Sequence, residues 1–384
     1  MLLGKVTFID IAVFLVFLSW HLLTDVGLYY ATCEAINALP FLVTELPIQV
    51  LYERYLSSPE HRLAWTLKSS LFQDVVIHCV RYAFTNIDPK VGRVFLSKNV
   101  ALPFLRFRMW RHAPQTAARV VWREVQGEGF KGVWIEFNET AEPDMVLYYM
   151  HGGGFVMGSP YFYLEFLIAL NVHLRKAGFK NPAIFTLEYT LVPDAVYPAQ
   201  LKEALAGYRH LLSVVQHSRI CVAGDSAGGT LMLSLLLHMA AFEINESPLF
   251  ATVFSPWTVL VSDKRNTVSD YLDSEQLNQY GRLYAGKTLV NDPIASPGCC
   301  QDLSLWRKAM PENGLLCIYG TEELLYNEID VFLKMLENVG EVVRIEEPTV
   351  HVWPIAVMFL GTEAEERHRS VRRVAQTIYA RMCP

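Results

Sequence analysis

The stretch GDSAGG at residues 224–229 decides the fold of this chain. The largely apolar run at residues 219–223 precedes it and the apolar run 231–239 follows it, so the pattern predicts a strand, a sharp turn and a helix. A serine on so tight a turn has strained backbone angles, and the residues two before and two after it must be small. The turn lifts the Ser226 hydroxyl out of the sheet and places the Ala227 amide at a helix N-terminus, where developing negative charge is favoured.

A second glycine-rich stretch, HGGGF at residues 151–155, follows an apolar run at residues 146–150. Consecutive glycines let backbone N–H groups approach a substrate oxygen with no Cβ atom in the way, which a plain flexible turn does not require. Such a loop supplies oxyanion-hole amides that act with the amide after the nucleophile. The predicted donors are Gly152, Gly153, Gly154 and Ala227.

A serine hydroxyl is a weak nucleophile unless an imidazole takes its proton, and this motif order places an acid and then a histidine later in the chain. The histidines after Ser226 are His238, His351 and His368. His238 falls inside the helix that follows Ser226, so its side chain is carried away from the hydroxyl. His368 falls in a charged helix, where a solvated position is expected. His351 follows a predicted strand, where a base should lie, and we predict that it is the base.

The acid should follow the strand predicted at residues 314–319. Glu322 and Glu323 both lie at its carboxyl end, and position alone does not separate them. Glu328 and Asp330 fall one to two turns into the next helix and are expected to be solvated.

Four ordered motifs together resemble the hormone-sensitive-lipase family of α/β-hydrolases. They are HGGGF, GDSAGG, the YTLVP stretch from Tyr189 with Pro198-Ala199, and the DPIASP stretch from Asp292, and the resemblance covers roughly residues 146–374. It implies an α/β-hydrolase fold, with a mostly parallel central sheet and helices on both faces, and carboxylic-ester hydrolysis without metal or cofactor. In that family the acid stands three residues after the strand-ending Gly, which selects Glu323, although Asp is usual there. Its oxyanion donors correspond to Gly153, Gly154 and Ala227.

The order of predicted elements supports this fold, because short β-rich runs alternate with helical ones from residue 118 onward. The first three strands are expected to form an antiparallel start, and residues 257–297 to form an insertion over the site. The predicted strands are 119–125, 132–137, 145–150, 183–189, 219–223, 250–255, 314–319 and 341–346, and the predicted helices are 59–83, 161–177, 199–216, 326–339 and 362–381.

Composition and net charge indicate which kinds of partner the protein has. Hydrophobic residues make up 52% of the chain, which suggests a membrane-associated part, and a net charge of −6 offers no support for nucleic-acid binding. The seven cysteines include no C-x-x-C, so we read neither a zinc site nor a disulfide framework, although one bridge remains open.

The membrane-associated part is predicted at the N-terminus, where residues 6–23 are apolar except for Asp10 and His21. Eighteen helical residues reach about 27 Å, slightly less than a ~30 Å hydrocarbon core, so a spanning anchor and an interfacial or buried helix both stay open. Lys5 precedes this segment and no Lys or Arg follows it until Arg54, which favours a cytosolic N-terminus and a lumenal catalytic domain.

Residues 35–56 are also apolar, but Pro40, Glu45 and Pro47 argue against a second clean span and favour a membrane-facing or cap segment. The predicted division is a membrane segment at 1–56, a helical cap at 57–117 and the catalytic domain at 118–384. An anchor on this domain resembles the fungal steryl acetyl hydrolases and the animal arylacetamide deacetylases, both anchored in the endoplasmic reticulum. The expected substrate is a short-acyl ester of a lipophilic alcohol. The alternatives are an acyltransferase or other pathway enzyme on the same triad, and a non-catalytic α/β-hydrolase that binds a hydrophobic ligand.

Overall fold

The structure, a computed structural model, describes residues 3–58, 64–112, 120–267 and 269–383. Within these ranges one eight-stranded sheet forms the centre, in the order β1-β2-β4-β3-β5-β6-β7-β8. The strands are β1 Val121–Gly127, β2 Phe130–Glu136, β3 Met145–Met150, β4 Pro182–Leu187, β5 Ile220–Asp225, β6 Phe250–Phe254, β7 Leu315–Gly320 and β8 Val342–Glu347.

The sheet is parallel from β4 through β8, and β2 pairs antiparallel with both β1 and β4. The prediction of three antiparallel strands at the start is therefore wrong for β3, which runs parallel between β4 and β5. Every residue of β3 to β7 is buried, as expected of parallel strands with helices on both faces. All the strands that precede predicted site residues end at the same edge of the sheet.

Helices cover both faces of the sheet and that edge. In the N-terminal part they are α1 Phe8–His21, α2 Leu28–Pro40, α3 Leu46–Leu51, α4 Ala64–Lys68, α5 Leu71–Asn86, α6 Pro89–Phe95 and α7 Lys98–Arg111. The remainder are α8 Pro160–Ala177, α9 Ala199–Leu212, α10 Ser226–Ala241, α11 Ser274–Leu289, α12 Leu303–Ala309, α13 Tyr326–Leu336, α14 Trp353–Leu360 and α15 Ala364–Met382.

The helix predicted at 59–83 is divided, and its first five residues lie outside the described residues. A new helix starts after Ser70, whose side chain accepts a hydrogen bond from the Gln73 amide (3.2 Å) while the Gln73 side chain accepts one from the Ser70 amide (2.7 Å). This reciprocal capping fixes an N-terminus there. The expected insertion at 257–297 contains α11, and α14 begins two residues after His351; neither helix was predicted.

The N-terminal segment forms two long apolar helices where one was expected. π-Helical turns extend α1 to Val26 and join α2 and α3 into a segment that ends at Leu56. Both continuous helices, Phe8–Val26 and Leu28–Leu56, are long and apolar enough to cross a membrane. Pro40 does not interrupt the second helix, because a π turn follows it and accommodates it; the prediction that this segment faces the membrane or the cap stays a prediction.

The cap helices share one hydrophobic core with the catalytic domain. Ile77 on α5 and Ala101 and Leu105 on α7 belong to the same buried cluster as the central strands. A smaller cluster, formed by Phe41, Leu46 and Val50, packs against the outer side of α5. The cap is therefore a fixed part of the body, and the apolar helices lie outside it.

Candidate active site

Ser226 stands at the junction of β5 and α10 with φ +49°, in the left-handed region that a non-glycine residue rarely adopts. A Cβ atom at Gly224 would collide with the Gly228 carbonyl, and one at Gly228 would collide with the Met150 carbonyl. Both positions therefore require glycine, as the sequence predicted. The serine is 5% exposed and its amide neighbour Ala227 is buried.

The glycine loop after β3 is held in a shape that only glycine permits. Gly153 has φ +114° and Gly154 has φ +61°. A Cβ atom at Gly153 would collide with the Met157 carbonyl, and one at Gly154 would lie 2.7 Å from the Tyr280 ring. Among the described residues, none accepts a hydrogen bond from the Gly153 or Gly154 amide. These two N–H groups are available to a ligand.

Gly152 has a different role from the one predicted. Its amide donates a 2.9 Å hydrogen bond to Asp225 Oδ1, so it cannot also serve as an oxyanion donor. A Cβ atom at Gly152 would collide with the same carboxylate, which explains the glycine. The prediction of Gly152 as a donor is therefore corrected, because the residue before Ser226 already uses that amide.

The Asp225 carboxylate clamps the glycine loop to the serine turn. Tyr149 and Tyr163 donate hydrogen bonds to it at 2.7 and 2.9 Å, and the group is fully buried. Burial raises the pKa of Asp225 to about 6, and the three hydrogen bonds oppose that rise. On the other side of the loop, Tyr189 donates a 2.8 Å hydrogen bond to the His151 carbonyl, which gives the YTLVP stretch a structural purpose.

His351 and Glu323 meet at the carboxyl ends of β8 and β7. Glu323 Oε2 lies 3.4 Å from His351 Nδ1, and each residue is 2% exposed. Glu322 faces away, because its Oε1 accepts a hydrogen bond from the Trp65 amide of the cap (3.2 Å). Of the two acids left open by strand position, Glu323 is the one beside the imidazole.

The charges around His351 set its proton affinity. Burial lowers the pKa of His351, but the contact with Glu323 and the charges of Glu323, Asp270 and Asp225 outweigh it, and the net pKa lies above the ordinary value of 6.5. Burial also raises the pKa of Glu323, against the opposing effect of His351. The pKa of each group therefore lies above its ordinary value, that of Glu323 because of burial and that of His351 because of the acids around it.

Ser226 and His351 reach this edge from β5 and β8, and Ser255 at the end of β6 lies between them. Ser255 Oγ accepts a hydrogen bond from the Val352 amide (3.0 Å), and the Trp257 amide donates to the Ser226 carbonyl (3.2 Å). Within the described chain no group hydrogen-bonds His351 Nε2, so the Ser226 hydroxyl does not do so in this structure. Such contacts are often long in free enzymes and tighten when substrate binds.

Asp270 is a site residue that sequence reasoning missed. Its fully buried carboxylate accepts hydrogen bonds from the amides of Leu324 (2.8 Å) and His351 (3.2 Å). It therefore joins the loop that carries the acid to the loop that carries the histidine. Tyr271 adds a 3.0 Å hydrogen bond from its hydroxyl to the His351 carbonyl. The available signal was an aspartate within a Tyr-rich insertion expected over the site.

The other two histidines lie away from this cluster. His238 packs against Phe242 on its own helix, with ring centroids 4.4 Å apart. His368 is buried beside His173, with ring centroids 5.5 Å apart, so the expectation of a solvated surface residue is wrong. That side of α15 faces the body of the protein, because the helix is amphipathic.

Ser226 on its sharp turn lies at one edge of a mostly parallel sheet, and so do a loop with two free amides and a buried acid–histidine pair. This combination defines the α/β-hydrolase class. Within that class, a family profile described as steryl acetyl hydrolase matches residues 113–375. The chain belongs to the steryl acetyl hydrolase family and is an ester hydrolase.

Individual relatives agree with this placement. A Schizosaccharomyces pombe protein named as a presumptive steryl acetyl hydrolase is 26% identical over 71% of this chain and 75% of its own length. An acetyl-hydrolase of Streptomyces hygroscopicus is 31% identical over 54% of this chain and 67% of its own. The crystal structure of a bacterial esterase of the hormone-sensitive lipase family superposes with a TM-score of 0.63 at 22% identity, covering 82% of this chain and 99% of that one. That likeness shows the fold.

Proposed function

We propose that the protein hydrolyses short-acyl esters of lipophilic alcohols through Ser226, His351 and Glu323. The Ser226 oxygen attacks the ester carbonyl while His351 Nε2 takes the hydroxyl proton, and the carbonyl π electrons move onto oxygen. Collapse of this tetrahedral intermediate breaks the bond to the alcohol, which leaves with the proton from His351. Water then attacks the acyl-serine by the same route and releases the carboxylic acid and free Ser226.

The oxyanion donors in this proposal are the amides of Gly153, Gly154 and Ala227. The first two have no acceptor among the described residues, and the third lies in the first turn of α10, where amides lack intrahelical partners. One such donor is typically worth about 2.7–4 kcal/mol of transition-state stabilisation. Glu323 holds the imidazole in one tautomer and stabilises the imidazolium as it forms.

The observation that carries the proposal is the buried Glu323–His351 pair at the same sheet edge as the elbow serine. A fluorophosphonate probe tests it, because such probes label only a serine whose proton an adjacent base removes. We expect one labelled peptide, containing residue 226, in the full-length protein. A label on another serine, or none, would contradict the assignment.

A lipophilic substrate is supported by the apolar helices that lie outside the cap. The cap reaches the site through Trp65, whose ring packs edge-on against Trp353, two residues after His351 (centroids 4.7 Å). We propose that the protein associates with a membrane through these helices and takes its ester from there. Profiling against sterol acetates, aryl amides and simple acetates identifies the alcohol, and a preference for water-soluble esters would contradict the proposal.

We further propose the lumenal face of the endoplasmic reticulum as the location. The acceptor sequence Asn138-Glu139-Thr140 supports it, because it lies on an exposed surface turn. In a lumenal domain Asn138 would receive a glycan. We expect endoglycosidase treatment to lower the apparent mass of the wild type. The Asn138→Gln variant should have the lower mass without treatment. An unmodified Asn138 removes this support.

A further inference from the structure

The two apolar helices at the N-terminus, Phe8–Val26 and Leu28–Leu56, form a unit that we call the apolar hairpin. The N-terminal end of the apolar hairpin contacts the body through buried ion pairs. Asp10 is fully buried, with Arg111 at 2.8 Å and Arg108 at 3.6 Å, both on α7. Arg108 in turn binds Glu165 on α8, with contacts at 2.7 and 2.9 Å. The one acidic residue of α1 therefore points into the protein.

The second end of the apolar hairpin is fastened to the same body. Arg54 pairs with Asp74 on α5 and donates to the Ser69 carbonyl at 3.1 Å. One residue earlier, Glu53 lies 3.1 Å from His78. Both ends of the hairpin thus reach the cap through charged contacts.

Contacts between the ends show that the apolar hairpin lies along the cap. Phe14 packs edge-on against Phe104, with ring centroids 5.1 Å apart. At the start of the second helix the Tyr30 hydroxyl donates to Asp88 (2.7 Å). Further along, Phe41 stacks on Tyr82 with ring centroids 4.2 Å apart. The second helix follows α5 from the Asp88 end to the Asp74 end, so the hairpin does not project away from the protein.

The outward side of the apolar hairpin is exposed and apolar. Side chains along its whole length are more than half exposed, including Phe8, Val16, Trp20, Leu28, Ile48 and Leu56. The patch is far larger than a soluble monomer normally leaves in water, and a lipid surface is the partner that matches it. Tyr30, close to the bend between the two helices, contacts Asp88 of the body, so the bend also lies beside the folded protein. The bend of a hairpin that crossed a membrane would lie about 30 Å away.

We infer that the apolar hairpin lies in the interface of a single leaflet and that the N-terminus is on the same side of the membrane as the catalytic domain. Asp10 at one end and Glu53 and Arg54 at the other all contact the folded body, so the two ends of the hairpin cannot lie on opposite faces of a bilayer. Of the two alternatives left open for residues 6–23, this arrangement is the interfacial helix, and the positions of Lys5 and Arg54 then carry no information about orientation. The inference rests on the proposed membrane association.

Protease protection in intact microsomes tests the inference with the full-length chain carrying an epitope tag at each end. We expect added protease to remove both tags or to spare both, and to remove both after detergent. Removal of one tag alone would overturn the inference and leave membrane association intact. A chain that does not sediment with membranes would overturn the proposed association and this inference together.

A second measurement separates a hairpin in one leaflet from one that crosses twice. In a Cys33→Ser background, Thr24→Cys places a thiol at the exposed bend, and the exposed native Cys383 reports the side of the catalytic domain. We expect an impermeant maleimide to label both positions from the same side. Labelling of position 24 from the opposite side would overturn the inference.

Discussion

Helices α10 and α1 are both apolar, yet the structure places them in opposite environments. Of the 16 residues of α10, 14 are buried, whereas the only buried residue of α1 is the charged Asp10. α10 follows β5 and precedes β6, so two central strands hold it inside. α1 has no strand beside it and is fastened through its acid. The comparison teaches that apolar composition predicts a helix, while its neighbours in the chain decide which side it buries.

The largest expected effect tests the buried start of α10. Ser226→Ala removes the proposed nucleophile, and we expect turnover of a p-nitrophenyl short-chain ester to fall by roughly 10⁶-fold. Steady-state kinetics and far-UV circular dichroism measure activity and folding. Ser234→Ala in the same helix is the matched control, because its buried hydroxyl has no partner among the described residues. Unchanged turnover in Ser226→Ala would exclude the assignment.

The next effect concerns the partner of the imidazole. Glu323→Gln should lower kcat by up to about 10⁴-fold, because an amide favours the wrong tautomer. The base must be neutral and its pKa lies above 6.5, so activity in the wild type should fall as pH drops through a value above 6.5. In Glu323→Gln the charge that opposes the effect of burial on His351 is lost, so the pKa of His351 should fall. The acid limb of kcat/KM should therefore move to lower pH.

Glu322→Gln is the matched control for that change, because its carboxylate faces the Trp65 amide of the cap. We expect kcat within a few-fold of the wild type and an unmoved acid limb. A larger loss in Glu322→Gln than in Glu323→Gln would reverse the assignment of the acid.

A smaller effect is expected at Asp270. Asp270→Asn replaces one acceptor oxygen by a donor, so either Leu324 or His351 loses its backbone partner. We expect kcat to fall about 10–100-fold with KM little changed, as for other supporting residues. The acid limb should also move to lower pH, since a charge that raises the pKa of His351 is lost. Asp273→Asn, which keeps a helix-capping side chain, is the control; a change in KM alone would show a different role.

The smallest effect on catalysis is expected on the outward side of α1. Val16→Asn with Trp20→Asn should reduce sedimentation with membranes but leave turnover of a soluble ester within about twofold, because surface substitutions change stability by roughly 0.5 kcal/mol or less. Asp10→Asn should instead lower the free energy of unfolding by about 1.5–3 kcal/mol, since it removes the buried carboxylate that pairs with Arg111 and Arg108. Denaturant unfolding and flotation measure the two. If both variants lowered membrane binding and the free energy of unfolding to the same extent, the proposed difference between the inner and outer sides of α1 would be wrong.

Much of the site could be predicted because its parts have local signatures. The turn at Ser226 shows itself through small neighbours, and the glycine loop through its triplet. His351 and Glu323 were placed at the sheet edge by the strands before them. These signals work because parallel strands end together, whatever their separation along the chain.

The remainder depends on contacts between distant residues, which leave no local pattern. The Gly152 amide is used by Asp225, 73 residues later, and nothing near Gly152 signals it. Asp270 lies 81 residues before the histidine whose amide it binds. Likewise, Asp10 pairs with Arg108, 98 residues later, and the sequence around Asp10 shows only a charged residue in an apolar segment.

Arg81 on α5 donates a 2.7 Å hydrogen bond to the carbonyl of Asp270, whose carboxylate secures both catalytic loops. The opposite side of the same helix packs against the cluster of Phe41, Leu46 and Val50. In the proposed membrane-bound form, this one helix lies between the apolar hairpin and Asp270, so a tilt of the helix would move the loops of the acid and the base together. We therefore expect the alignment of Glu323 and His351 to depend on whether the protein is bound to a lipid surface.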